Sequence, residues 1–445
     1  MGIRREALDM KICVQGLWHL GSVTAACLAS LGFEVVGVDP SKSIIKELNE
    51  GKGPLFEPGL DDLIKKGLQN EKLKFVEDYE SALSGASILW VTFDTPVDED
   101  DKADVDYVIL QIKNILKYAK RNLMVIVSSQ LPVGSTALLE EYVHKEFPLH
   151  DIRFSFSPEN LRLGKALDLF LNPDRIIVGV RSDDYKLKLE ELFKSITTRI
   201  EWMSTESAEM TKHAINSFLA TSVTFANEIA SICEVVGADA KEVERGLKTE
   251  MRIGPKSYLS PGGPFAGGTL ARDIEFLAQE SRSKGLSVPL ISSVKLSNDA
   301  HKNWIRRKVK DTFSDISKIT FTLWGLTYKP GTDTLRRSLA VELCDWIINS
   351  GGSVNLYDPV VKEIPDKWLK KVKQFQNPLE ALKNSNALII GTEWPQFKDD
   401  AKEIDSQKNK DLVIFDPNRH ILNSINSDKL NYIAVGTPQK NINYS

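Results

Sequence analysis

Short runs of consecutive apolar residues alternate along this chain with longer segments in which apolar residues recur every three or four positions. "KICVQGLWHLGSVTAACLASLGFEVVGVDP", closing at Pro40, reads as apolar strand, Gly-Leu turn, small-residue helix, glycine, and a second strand ending in Asp-Pro. "ITFTLWGLTYKPGTDTLRRSLAVELCDWIINSGGSVNLYDP", closing at Pro359, repeats that layout. Later strands correspond as well: "ILWVTFDTP" (88–96) with "ALIIGTEWP" (387–395), and "LMVIVSS" with "LVIFDP". Apolar runs of strand length joined by helices are the mark of parallel sheets built from βαβ units, whose strands are buried on both faces. The pattern predicts an α/β chain with two Rossmann-like, doubly wound domains. They span roughly 1–200 and 310–445 and are joined by a long central helix within a helical region at 201–309.

Residues 206–247 carry apolar positions at helical spacing with no proline, and predict a nearly unbroken helix. Its apolar stripe is covered either by a second subunit or by the chain's own two domains; a homodimer is the expectation. Ile12–Phe33 carries no Asp, Glu, Lys or Arg and raises the question of a membrane span. Gln15, three glycines and the hydroxyl residues divide it into strand, turn and helix, so a span is rejected. The leader "MGIRREALD" lacks the apolar core of a signal peptide and reads as a disordered extension.

Composition adds little to this picture. Hydrophobic content of 42% and charged content of 27% are ordinary for a soluble globular protein, and the net charge is −4. They give no reason to expect nucleic acid or an anionic membrane as partner. The four cysteines, Cys13, Cys27, Cys233 and Cys344, are scattered and apolar-flanked, and predict buried free thiols rather than disulfides or a metal site.

The candidate chemistry sits at strand ends. In "GLWHLG", Gly16 and Gly21 match the outer glycines of a dinucleotide fingerprint, while Trp18 replaces the middle one. Asp39 ends the next strand, where an acid binds ribose hydroxyls and repels the 2′-phosphate of NADP. Thr95-Pro96 and Ser128-Ser129 add two loops at the same sheet edge. Lys212 and Asn216 share one face of the long helix, either as working groups or as a solvated pair, and His213 points elsewhere as a surface or interface residue. Glu159 lies in the loop "SPENLRLG". "GGPFAGGTLARD", residues 262–273, is a glycine-dense turn running into a helix, with Thr269 either a reacting group or a stand-in for a better nucleophile.

Taken together, "GPLFEPGLDDLI", "DTPVDEDDKADVDYV", "LPVGST", "LNPDRIIVG", "KHAINSFLATSVTFANEIASICEVVGAD", "RIG" and "LTYKPGTDTLRRS" make the chain, over residues 10–440, resemble the UDP-glucose/GDP-mannose dehydrogenase family. That resemblance implies an N-terminal NAD domain, a central dimerising helix and a C-terminal domain that grips the sugar nucleotide. Members oxidise the sugar C6 alcohol to a carboxylate with two NAD⁺. A base helped by Lys, Asn and Asp serves the first oxidation, and a Cys thiolate captures the aldehyde as a thioester precursor in the second. The family's loop F-G-G-S-C-F-P-K-D aligns on "FAGGTLARD": Phe265, Gly267 and Asp273 match, the nucleophilic Cys falls on Thr269 and the Lys on Arg272. Gln130 stands where a water-positioning Thr is usual, and in the N-P-E-F-L-x-E-G loop Glu159 is kept while the second Glu becomes Leu163.

By resemblance, then, Lys212, Asn216, Asp273 and Glu159 are catalytic, with Thr269 in the nucleophile's place. Gly16, Leu17, Gly21, Asp39, Thr95, Ser129 and Arg336 serve NAD; Arg252, reaching across a dimer, serves the substrate with Phe265, Gly267 and Lys329. Arg337 replaces a usual Glu, and Cys233 matches a family Cys read as packing. The residues of the first oxidation remain while those of the thioester steps are gone. The expectation is an NAD-dependent oxidation of a nucleotide-linked sugar that stops after two electrons. The alternatives are four electrons by way of the hydrated aldehyde, and a non-catalytic sugar-nucleotide-binding paralogue.

Overall fold

The computed structural model describes residues 10–96, 103–266, 268–407, 411–426 and 430–438, so the leader at 1–9 lies outside the described residues. The chain divides into two compact units, Met1–Ile215 and Asn216–Ser445. Each is built on its own sheet, and the long helix Thr205–Val236 joins them.

The first unit holds β1 (Lys11–Gln15), β2 (Glu34–Val38), β3 (Leu73–Val76), β4 (Ile88–Val91), β5 (Met124–Val127), β6 (Arg153–Phe156), β7 (Ile176–Gly179) and β8 (Ile200–Met203). Their order is β3-β2-β1-β4-β5-β6-β7-β8, with every pairing parallel except β6 with β7. The second unit holds β9 (Thr320–Trp324), β10 (Ser353–Tyr357), β11 (Val372–Gln374), β12 (Ala387–Ile390), β13 (Val413–Phe415) and β14 (Asn431–Ile433). Its order, β11-β10-β9-β12-β13-β14, reproduces that of the first six strands of the other sheet, and it is parallel throughout. Both sheets therefore reverse direction beside their first strand, the switch point at whose carboxyl edge ligands bind in such folds.

Alternation fixes the faces. Ile12 and Val14 enter one core with the helix α1 (His19–Ser30), while Cys13, between them, enters the core on the opposite face. Phe321 and Leu323 likewise face one core of the second sheet and Trp324 the other. Both faces are covered, which is why these strands read as unbroken apolar runs.

The helix α2 (Thr205–Val236) is shorter than the sequence pattern predicts. It stops at Gly237, whose φ of +79° lets the Ala238 N–H turn back to the Cys233 carbonyl. Asp239 then caps a new helix, Ala240–Thr249, by accepting the Lys241 N–H at 2.7 Å. A glycine stop followed by an aspartate cap overrides a continuous apolar period. By length and composition α2 could cross a membrane. Ala208, Ala220, Ala230 and Cys233 are instead core positions, and Glu209, Lys212, His213 and Asn216 are buried among protein groups, so it is a core helix.

Candidate functional site

In the first unit the turn after β1 needs its outer glycines. Gly16 has φ +90°, and a Cβ on Gly21 would lie 1.7 Å from the Gly16 carbonyl oxygen, so helix α1 starts directly beneath the turn. Trp18, at φ −62°, occupies ordinary backbone space. Glycine is not required there for conformation, and its replacement changes what lies above the turn. The Trp18 side chain is 44% exposed. Leu17, by contrast, is core, and its N–H donates to Asp39 Oδ2 at 2.7 Å. The other Asp39 oxygen accepts the Ser41 N–H at 2.8 Å. Burial pushes the Asp39 carboxyl up, against the two backbone donors that pull it down. Asp39 thus braces the turn.

The loops after β4 and β5 open at the same sheet edge, since β1, β4 and β5 are parallel. Thr95 Oγ1 donates to the Gln130 carbonyl at 2.6 Å, which ties those loops together. Ser129 is fully buried, and its hydroxyl has no hydrogen-bond partner among the described residues. Buried hydroxyls are rarely left unpaired, so this one suits a ligand polar group. The shaped turn, the helix start beneath it and the waiting Ser129 hydroxyl fit a dinucleotide.

The loop after β6 carries Glu159. Its Oε2 accepts the Leu161 N–H at 2.7 Å, and Lys212 Nζ donates to the Glu159 carbonyl at 2.5 Å and lies 3.2 Å from Oε1. Leu163 is half-buried further along. Residues that sequence reasoning missed hold this loop. The buried Glu57 accepts the N–H groups of Gly164 and Ala166, each at 2.8 Å, and pairs with His19 Nε2 at 3.0 Å. It thereby connects the start of α1 to the Glu159 loop; the one sequence signal was an acid before proline in "FEPGL". The buried Glu209, on α2, similarly holds Gly134 and Thr136. His213 is not the surface residue expected from its helical position: it is buried, with Nε2 2.9 Å from the Leu131 carbonyl, because the strand-end loop packs on that face of α2.

In the second unit Asn216, one turn after Lys212 on α2, donates through Nδ2 to Asp273 Oδ2. Asp273 is 0% exposed. It belongs to α3 (Thr269–Ser283), where Thr269 is the first residue, one turn earlier and exposed, and Arg272 is half-buried. Phe265 is buried and clamped at both backbone groups by Asn298, at 2.9 and 2.8 Å, another residue missed from sequence. Gly267 lies outside the described residues. Lys329 and Arg337 line a cavity of about 260 Å3, together with Gly263, His301 and Glu393. Arg336 is exposed beside it in the chain. Arg252 lies apart from this cluster, its side chain 88% exposed, with Nε donating to Glu250 at 2.9 Å.

No thiol joins these groups. All four cysteines are free and buried. Burial raises each thiol's pKa, to about 12 at Cys27 and Cys344, and it also raises those of Cys13 and Cys233. Cys233 packs with Ala230, Ala240 and Trp304, consistent with its reading as a core residue. The second unit holds a buried carboxylate fixed by an amide and a hydroxyl at a helix start, and the first unit holds the Lys212 ammonium on α2. Such groups serve proton removal and charge stabilisation.

Comparison with known proteins agrees with this fold. Residues 10–197 match the NAD binding domain of the UDP-glucose/GDP-mannose dehydrogenase family, 206–300 its central domain and 322–423 its UDP binding domain. The chain is 30% identical to a UDP-glucose 6-dehydrogenase of Rhizobium meliloti, over 96% of this chain and 100% of that protein. It is 31% identical to the UDP-glucose 6-dehydrogenase TuaD of Bacillus subtilis, over 96% and 93%. Among solved structures it is similar to a UDP-glucose dehydrogenase from Pyrobaculum islandicum, with TM-score 0.84 and 26% identity, covering 97% of this chain and 98% of that one. A UDP-D-ManNAc dehydrogenase from Pyrococcus horikoshii gives 0.82 and 26%, over 96% and 99%.

Proposed function

Because this chain belongs to the UDP-glucose/GDP-mannose dehydrogenase family and is an NAD-dependent nucleotide-sugar dehydrogenase, we propose that it takes a UDP-linked sugar and oxidises it by one two-electron step. Bound NAD⁺ supplies the hydride acceptor. The chain's own part is to remove the hydroxyl proton and hold the charge that develops on oxygen, with Asp273, Asn216 and Lys212 in those roles and Glu159 orienting Lys212. Gly16, Leu17, Gly21, Asp39, Thr95, Ser129 and Arg336 hold the cofactor; Arg252, Phe265, Gly267 and Lys329 hold the sugar nucleotide.

The observation that carries the one-step reading is Thr269, exposed at the start of α3, in a chain whose four thiols are all buried. A thiolate is the effective nucleophile for capturing an aldehyde, and a threonine hydroxyl needs an activating base. The reaction therefore ends at a carbonyl. Purified protein given UDP-sugars and NAD⁺ should form about one NADH per sugar consumed, with a product that hydroxylamine traps. Thr269→Cys should move the ratio toward two, incompletely, since Gln130 stands at the water-positioning place. A ratio near two with an acid product from the unmodified chain would refute the reading.

Phe218, Phe225 and Ile232 recur every seven residues along α2 and are exposed. This apolar row supports a homodimer along the central helix, with the exposed Arg252 serving the partner's substrate. We assign the functional division as 1–200 for cofactor, 201–309 for dimerisation and reacting groups, and 310–445 for sugar nucleotide, in a cytoplasmic enzyme.

A further inference from the structure

Beside the Glu159 loop the first unit holds another cavity, of about 80 Å3. Three aromatic rings line it: the centroid of Trp90 lies 6.2 Å from that of Phe170 and 5.8 Å from that of Phe193. The indole is locked, because its Nε1–H donates to Ser128 Oγ at 2.8 Å and Ser128 in turn donates to the Ser157 carbonyl at 2.6 Å. Interiors are close-packed, and a space larger than one water is uncommon in them. This one also borders a charge. Arg175 is half-buried at its edge, and the side chain forms no hydrogen bond or ion pair with any described residue. A guanidinium stays protonated and carries five N–H donors, so partial burial without an anion costs free energy. Glu159 borders the cavity too, but its oxygens are committed to the Leu161 N–H at 2.7 Å and to Lys212 Nζ at 3.2 Å.

We infer that this cavity binds a small monocarboxylate with a compact, branched apolar body, its carbons among the three rings and its carboxylate on Arg175. Small-molecule sites combine apolar walls with a few placed polar groups in this way. The guanidinium fork matches the two oxygens of one carboxylate. A phosphate offers the same pair, but the aromatic walls give its remaining oxygens no partner, whereas a carboxylate ends in carbon there. None of Gly16, Leu17, Gly21, Asp39, Thr95 and Ser129 lines the cavity, so it is separate from the residues assigned to the cofactor. Residues 158–161 do line it, and a bound ligand rests against the loop that carries Glu159. That the site is regulatory rests on the role given to Glu159 above; that it binds a carboxylate does not.

The test uses no turnover, so the one-step reading can fail separately. Calorimetry on the full chain, with NAD⁺ and UDP at saturation to fill their own sites, would compare isobutyrate, isobutyramide and acetate. Isobutyrate should bind at least about tenfold more tightly than the neutral amide, as expected for a charge-assisted hydrogen bond. It should also bind about tenfold more tightly than acetate, which lacks two methyl groups. Arg175→Gln breaks no ion pair among the described residues; it should erase the preference for the acid and leave amide binding and melting temperature unchanged. Leu169→Phe adds bulk to the lining and should abolish binding of both ligands. Amide exchange at Asn160 and Leu161 should slow when isobutyrate binds. Equal affinity for acid and amide in the unmodified protein would overturn the inference, as would no binding of isobutyrate, binding that survives Leu169→Phe, or unchanged exchange at those amides. Binding of isobutyrate that disappears once NAD⁺ is saturating would make the cavity part of the cofactor's own site, and overturn it equally.

Discussion

Replacing Asp273 by asparagine separates chemistry from structure at the centre of the site. The change is isosteric, and the new amide oxygen can still accept the Asn216 Nδ2–H that now meets Asp273 Oδ2. What is lost is the charge on a group with no exposure. A hydrogen bond to a charged group contributes about 1.5–3 kcal/mol and a neutral one about 0.5–1.5, so the structural cost is about 1 kcal/mol. For a unit the size of Asn216–Ser445 that lowers the melting temperature by about 2–4 °C. Relief of a buried charge offsets some of it. The chemical cost is larger. A positioned base contributes roughly 10²–10⁴ in rate, or about 2.7–5.5 kcal/mol of barrier. Asp273→Asn should therefore melt within a few degrees of the unmodified protein, bind UDP normally and lose at least a hundredfold in kcat under saturating sugar and NAD⁺. If kcat stays within a few-fold, Asp273 is a strut for α2 and α3, and the proposed proton acceptor lies elsewhere.

Calorimetry should show NAD⁺ bound more tightly than NADP⁺, with Asp39→Asn narrowing the ratio; equal or tighter NADP⁺ binding by the unmodified chain would remove Asp39 from cofactor choice. Thiol alkylation of the folded protein should leave turnover intact, because all four cysteines are buried and their thiols are raised by burial; loss of activity with stoichiometric labelling would reinstate a cysteine. Burial holds His301 below its usual pKa of 6.5 while its Nε2 lies 2.8 Å from the Gly262 carbonyl. The unfolded chain therefore takes up a proton near pH 6.5 that the folded chain refuses, and stability falls as pH drops from about 6.5 toward the folded value. His301→Gln should flatten that part of the profile of melting temperature against pH, and an unchanged slope would show that His301 does not contribute to it.

The fold was legible because both sheets are doubly covered and parallel, save for the pairing of β6 with β7. Their strands are apolar without interruption, and the repeated strand, Gly-Leu turn, helix and Asp-Pro order marks the same topology twice. Where sequence reading missed, a local signal had been outweighed or a distant one had been invisible. Gly237 and Asp239 ended α2 against a strong apolar period, and both signals stood in the sequence. His213 offered no such clue, since its burial depends on Leu131, 82 positions away. Glu57, Glu209 and Asn298 were missed for the same reason: each hydrogen-bonds backbone far along the chain, and nothing beside a glutamate in sequence tells a buried clasp from a solvated one.

Asp39 shows how one motif can carry two meanings. In the second unit Asp358 ends the corresponding strand and accepts the Leu326 N–H at 2.7 Å, as Asp39 accepts that of Leu17 at 2.7 Å. It also accepts the N–H groups of Val360 and Val361 at 3.0 and 3.1 Å, as Asp39 accepts that of Ser41. The match to a UDP binding domain covers Asp358, so bracing the Gly-Leu turn belongs to the fold and is indifferent to which nucleotide is bound. The motif by itself therefore cannot assign a cofactor. What separates the first unit is a buried Ser129 hydroxyl that no described group satisfies, together with the match of residues 10–197 to an NAD binding domain. A carboxylate has about four acceptor positions, and two backbone donors leave capacity for a ribose hydroxyl. The effect on NADP⁺ expected of Asp39 would come from charge, which bracing does not cancel. Turn integrity and cofactor preference should consequently come apart in Asp39→Asn: an amide oxygen can keep the Leu17 contact while the repulsion of a 2′-phosphate disappears.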